Sequence, residues 1–189
     1  MESSSIVHPI DMFKQFLSLI VICTISCSTI NAQNLPSKVD FDAFMKVASE
    51  VEEYRKNRLV SLQNFKKMAS EPNTIILDTR SKAMYEQKHV KGAVHLNFSD
   101  FTQENLAKII PNNQVRILIY CNNNFYNEPD FFATKSFVPL EVSAEKEITL
   151  ALNIPTFINL YAYGYKNVYE LKDLIDARSD QLTYGGLSE

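Results

Sequence analysis

Cysteine is scarce in this chain, at three in 189 residues. Two of the three, Cys23 and Cys27, fall in an N-terminal stretch that reads as a removable signal. Its removal leaves Cys121 as the only thiol, which excludes an internal disulfide. An unpaired cysteine in an oxidising compartment is either a buried inert residue or a reactive group. A surplus of positive charge is also missing: 19 Lys and Arg against 22 Asp and Glu give a net charge of -3. Without a basic field, neither nucleic acid nor an anionic membrane surface is suggested as the main partner. Histidine numbers three, and although His89 and His95 lie close in sequence, no third ligand stands at a useful spacing, so no metal site is expected. The N-terminal apolar run, residues 16–25, is shorter than the roughly 20 residues a membrane-crossing helix requires.

That run has the setting of a signal peptide. Met12-Phe13-Lys14-Gln15 precedes it and small polar residues follow it to Ala32. The expectation is that residues 1–32 direct export to a periplasmic or secreted location and are removed, with no transmembrane segment left after processing. Met12 suits the start of such a signal, because residues 1–11 carry two acids and no Lys or Arg. Cleavage after Ala32 meets the small-residue requirement, with Ile30 an imperfect third position back. Lipidation at Cys27 fits less well, because Thr24-Ile25-Ser26 lacks the leucine of a lipoprotein box.

The remainder is ordinary globular sequence, 46% hydrophobic and 22% charged, long enough for one domain with a real core. Asp40 offers an N-cap for an amphipathic helix over residues 41–56, whose apolar residues Phe41, Phe44, Met45, Val47, Ala48 and Val51 recur at helical spacing. After Arg58 the elements shorten. A brief strand at Leu59-Val60, a helix over 62–69, a buried strand over 74–77 ending in Asp78, a helix over 83–88 and an extended stretch over 89–96, restarted at Gly92, follow in turn. Helical spacing returns over 101–109. Residues 115–120 form the clearest central strand, and Cys121 stands at its C-terminal end. A helix over 149–163 and a last strand over 168–171 complete the alternation. It implies a mainly parallel sheet flanked by helices, in which ligands sit outside the carboxyl ends of the strands.

Three segments carry a resemblance. Ile76-Leu77-Asp78-Thr79-Arg80, then Tyr85, then His89-Val90-Lys91-Gly92-Ala93 resemble the strand and turn that open rhodanese-like domains. Residues 115–120 with Cys121 resemble that family's catalytic strand and loop, and residues 164–171 resemble its ending. The order and spacing agree from about residue 58 to residue 175. The resemblance implies a rhodanese-like three-layer α/β fold over residues 58–180, preceded by a linker and N-terminal helix over 33–57 and followed by a C-terminal tail over 181–189. It implies sulfur transfer: Cys121 takes sulfane sulfur from a donor such as thiosulfate or polysulfide, holds it as a persulfide and passes it to a thiophilic acceptor, cyanide or a thiol. Neither metal nor organic cofactor is needed. Backbone N–H groups of the loop Asn122, Asn123, Asn124, Phe125, Tyr126 and Asn127 would cradle the anionic sulfur and lower the thiol pKa. Asp78 and Arg80 would line or brace the site.

The loop departs from the family pattern in lacking both a glycine and a basic residue near its end. Asparagine enters the left-handed region more readily than most residues, which would let the cradle form. Lys135 or Arg116 would then have to supply the missing cation from outside. Asn at position 127 argues against the related phosphatases, which use Cys-x5-Arg. Residues 127–147 form a longer stretch than the family carries, a lid, a protein-binding site or a plain insertion. Its aromatic residues, with Phe125 and Tyr126 just before it, suit either a partner surface or packing on the domain. Two functions stay open: a sulfurtransferase or persulfide carrier, and a catalytically silent rhodanese-fold module that binds a protein. A redox-sensing thiol is a third.

Overall fold

The computed structural model describes residues 36–137 and 148–187. The chain divides into two compact units, Met1–Val39 and Asp40–Glu189. Almost all of the first unit lies outside the described residues, and with it the expected signal segment, Cys23 and Cys27. So do residues 138–147 of the insertion. Among the described residues no helix is long and apolar enough to cross a membrane.

The second unit opens with α1 (Phe41–Lys56), capped by the Asp40 carboxylate, which accepts the Ala43 N–H at 2.9 Å. Then follow β1 (Leu59–Val60), α2 (Leu62–Ala69), β2 (Thr74–Asp78), α3 (Lys82–Gln87), β3 (His89–Val90), β4 (Ala93–His95), α4 (Gln103–Ile109) and β5 (Arg116–Tyr120). Ser61, Ser81 and Thr102 cap α2, α3 and α4 through their hydroxyls. Beyond β5 come a 3-10 turn (Asn122–Asn124), β6 (Phe125–Tyr126), β7 (Ser136–Phe137), β8 (Ile148–Thr149), α5 (Asn153–Ala162), β9 (Val168–Leu171), β10 (Ile175–Asp176) and β11 (Tyr184–Gly185).

Five strands form one parallel sheet in the order β1-β9-β5-β2-β4. Strand β5 is central, and both of its faces are dry. Ile117 and Ile119 enter a cluster with Val51 of α1, Leu106 of α4 and Phe157 and Leu160 of α5. Leu118 and Tyr120 enter the opposite cluster with Phe65 of α2 and Phe125. Two-sided burial is why this strand reads as a continuous apolar run rather than an alternating one. Each such side chain contributes about 1.5–3 kcal/mol of burial free energy. The expected α/β architecture, a mainly parallel sheet between helical layers with an additional N-terminal helix, is the architecture observed.

Two expectations change. The helix anticipated from residue 149 starts at Asn153, because Thr149 is opposite Ser136 in an antiparallel pair and the Leu150 N–H donates to the Lys135 carbonyl at 2.8 Å. Backbone held extended by that ladder cannot at the same time take helical dihedrals. Where a tail was expected over residues 181–189, the chain forms β11, antiparallel to β3, with Tyr184 opposite Val90 and Gly185 opposite His89. Leu182 is buried there, and the Leu187 N–H reaches the Glu86 carbonyl at 2.9 Å. Glycine is required at 186: φ is +126°, and a Cβ would lie 2.5 Å from the Gln87 carbonyl oxygen.

Candidate functional site

Cys121 follows β5 at the carboxyl end of the sheet and is fully buried. Its backbone N–H donates to Asn124 Oδ1 at 2.9 Å, and its carbonyl accepts the Asn124 N–H at 3.1 Å. These bonds close the chain into a 3-10 turn. The Asn124 amide also donates through Nδ2 to the Leu171 carbonyl at 2.8 Å, tying the turn to the end of β9. The sulfur receives the Leu152 N–H at 3.2 Å. Leu152 is the N-cap of α5, so the sulfur lies at the positive end of a ten-residue helix. Pro155 is harmless in that first turn, where a backbone N–H would have no intrahelical partner.

The six expected loop residues separate into different roles. Asn122 is buried and accepts Arg80 Nη1 at 3.4 Å. Asn123 imitates a strand: Oδ1 accepts the Lys135 N–H at 2.8 Å and Nδ2 donates to the Lys135 carbonyl at 3.0 Å. Phe125 is core, in ring contact with Tyr120, Phe132 and Tyr184. Tyr126 is 45% exposed. Asn127 is the left-handed residue of the loop, at φ 70°, and its Nδ2 donates to Asp176 Oδ2 at 2.9 Å. Left-handed backbone was expected among the three consecutive asparagines, and it occurs at Asn127 because β6 must first pair with β10. The aromatic residues of this region split likewise: Phe132 is buried with Phe125, which is packing on the domain.

Asp78 and Arg80 act as a brace. Both are buried, and Arg80 Nη2 meets Asp78 Oδ2 at 2.7 Å while Nε spans both carboxylate oxygens at 3.0 and 3.1 Å. The guanidinium further donates to the carbonyls of Lys88 at 2.7 Å and Phe131 at 3.0 Å, fastening the segment after the cysteine loop to the end of α3. The Tyr120 hydroxyl donates to Asp78 and accepts the Val90 N–H at 3.1 Å. Desolvation, reinforced by the neighbouring Asp78 charge, raises the Tyr120 phenol well above its ordinary pKa.

Of the two cations expected to assist from outside, Arg116 begins β5, at the opposite end of the strand from Cys121, and pairs with Glu71. Lys135 is beside the loop through its backbone bonds to Asn123. Lys88, in the family turn, pairs with Glu128 over the ring of Tyr184. His89 and His95 bind the carbonyls of Tyr85 and Arg80. Among the described residues no group of three or more His, Cys, Asp or Glu is placed to hold a metal.

Sequence reasoning missed a cavity beside the loop in which charged and amide groups meet apolar walls from Leu59, Ile154 and Leu171. It measures about 220 Å³ and is lined by Asn123 and Asn124, by Ala151 and Asn153 at the start of α5, and by Arg55, Glu170 and Lys172. Glu170 is buried and receives Arg55 through Nε at 2.5 Å and Nη2 at 2.6 Å. Asn153 Nδ2 bridges Asn124 Oδ1 and Glu170 Oε1, each at 3.1 Å. A glutamate inside the apolar strand Val168–Leu171 was the available signal, because a buried carboxylate demands a cation.

A family model described as the rhodanese-like domain matches residues 61–179. The chain belongs to the rhodanese-like family, and so to the sulfurtransferase superfamily; α1 and Arg55 precede the matched region. Among solved structures, the BH2092 protein from Bacillus halodurans is similar, at 13% identity over 66% of this chain and 74% of that one, with a TM-score of 0.41. No curated protein matches.

Proposed function

We propose that Cys121 is a persulfide carrier that moves sulfane sulfur from a small donor to a thiophilic acceptor. The observation that carries this reading is the hydrogen bond from the Leu152 N–H to the sulfur at the N-terminus of α5. A thiolate, and the persulfide anion that replaces it, are both favoured by an amide donor and a positive helix end. In the first half-reaction the Cys121 thiolate attacks the outer sulfur of the donor. The new S–S bond forms as the donor's S–S bond breaks, and sulfite leaves from thiosulfate, or a shortened polysulfide from polysulfide. In the second, the acceptor attacks the outer sulfur of the persulfide and Cys121 departs as thiolate. Electrons balance within each displacement, and the asparagine turn holds the strand end in place throughout.

The full burial of Cys121 favours a second reading, a silent module whose cysteine is a packing residue and whose surface recognises a protein. Intact mass separates the two. The purified protein and Cys121→Ser are incubated separately with thiosulfate and with polysulfide. A gain of one sulfur atom that cyanide reverses and the variant lacks is expected. A folded protein that takes sulfur at Cys121 from neither donor overturns the carrier reading and leaves the silent module.

A further inference from the structure

The cavity beside the cysteine loop shares two walls with Cys121. Asn124 lines it and accepts the Cys121 backbone N–H. Ala151 and Asn153 line it as well, and Leu152 between them donates to the sulfur. The cavity lies at the carboxyl end of β9, where parallel α/β sheets take their ligands. Its charged groups do not cancel. Arg55 is held by Glu170 in a two-point ion pair, which removes both from the balance. Lys172, just past β9, is exposed and forms no ion pair among the described residues. The wall therefore carries one uncompensated positive charge.

We propose that reagents approach Cys121 through this cavity and that Lys172 is a specificity-determining residue that selects anionic sulfur donors over neutral ones. The cation absent from the loop sequence is thus supplied by a different element. The proposal rests on the carrier reading to the extent that the sulfur must be reachable by small reagents.

Iodoacetate and iodoacetamide test it, because they are close in size, differ by one charge, and both alkylate a thiolate with loss of iodide. Their rates at Cys121 are followed in the folded full chain on the peptide that contains it, which excludes Cys23 and Cys27. In Lys172→Glu the iodoacetate-to-iodoacetamide rate ratio should fall about fivefold at low salt, the effect of reversing a unit charge in the wall of the cavity through which the reagent passes. Lys172→Gln should show a smaller fall, and added salt should shrink both differences. If both reagents react and the ratio is the same in all three proteins, the role of Lys172 is refuted while the reachable thiol stands. If neither reagent reacts with the folded protein, the sulfur is closed to small molecules, and the carrier reading falls together with this one.

Discussion

Replacing Arg80 by methionine keeps an unbranched apolar stem and removes the charge that neutralises Asp78. The Arg80 side chain is only 2% exposed, and loss of its guanidinium deletes the three contacts to the Asp78 carboxylate and strips donors from the carbonyls of Lys88 and Phe131. What remains is a buried carboxylate held by the Tyr120 hydroxyl and the Arg80 backbone N–H. Breaking one side of a buried ion pair costs about 3–5 kcal/mol, roughly a fifth or more of the stability of a typical domain. Urea unfolding measures it as a fall in midpoint at constant slope. Asp78→Leu/Arg80→Met removes both charges and should be more stable than Arg80→Met alone, because no buried charge is then left unpaired, only neutral groups: the carbonyls of Lys88 and Phe131, the Tyr120 hydroxyl and the Arg80 backbone N–H. A loss below about 1 kcal/mol in Arg80→Met, or a double variant as unstable as the two single losses added together, would refute the brace.

Two further outcomes follow from the same geometry. Gly186→Ala should destabilise by about 1–3 kcal/mol, because its Cβ would meet the backbone of Gln87 and Glu86, which cannot turn aside as a side chain could. Thermal unfolding reports it, and an unchanged midpoint would mean that β11 does not dock on β3. Three phenols weigh on alkaline stability. Burial, with the charges of Glu128 and Asp176, pushes Tyr184 up to about 12, and burial with the Asp78 charge raises Tyr120 and Tyr85 in the same direction. Raised folded values mean stability that is complete below the unfolded tyrosine pKa near 10 and is lost as pH climbs through the folded values. Urea midpoints should therefore fall from about pH 10 upward, and Tyr184→Phe should flatten the early part of that fall; an equal slope in the variant would contradict the assignment.

Local patterns were legible in the sequence wherever one segment determines its own state. Asp40 and the stripe running to Val51 specify α1, and the apolar run over residues 115–120 specifies the central strand, since capping and periodicity act within a few residues. The Asp78, Arg80 and His89 pattern, with Cys121 at a strand end, carries the family resemblance in the sequence itself. Only the tertiary structure decided what surrounds the cysteine. The Leu152 N–H on its sulfur, the Arg55–Glu170 pair and Lys172 all come from segments 30 or more residues away along the chain. It also decided that Phe125 is core rather than cradle, because β10 offers β6 a strand to pair with, and that residues 182–187 close the fold instead of trailing from it. Hydrogen bonds and ion pairs depend on where distant segments meet, and residue order along one stretch of chain carries little record of that.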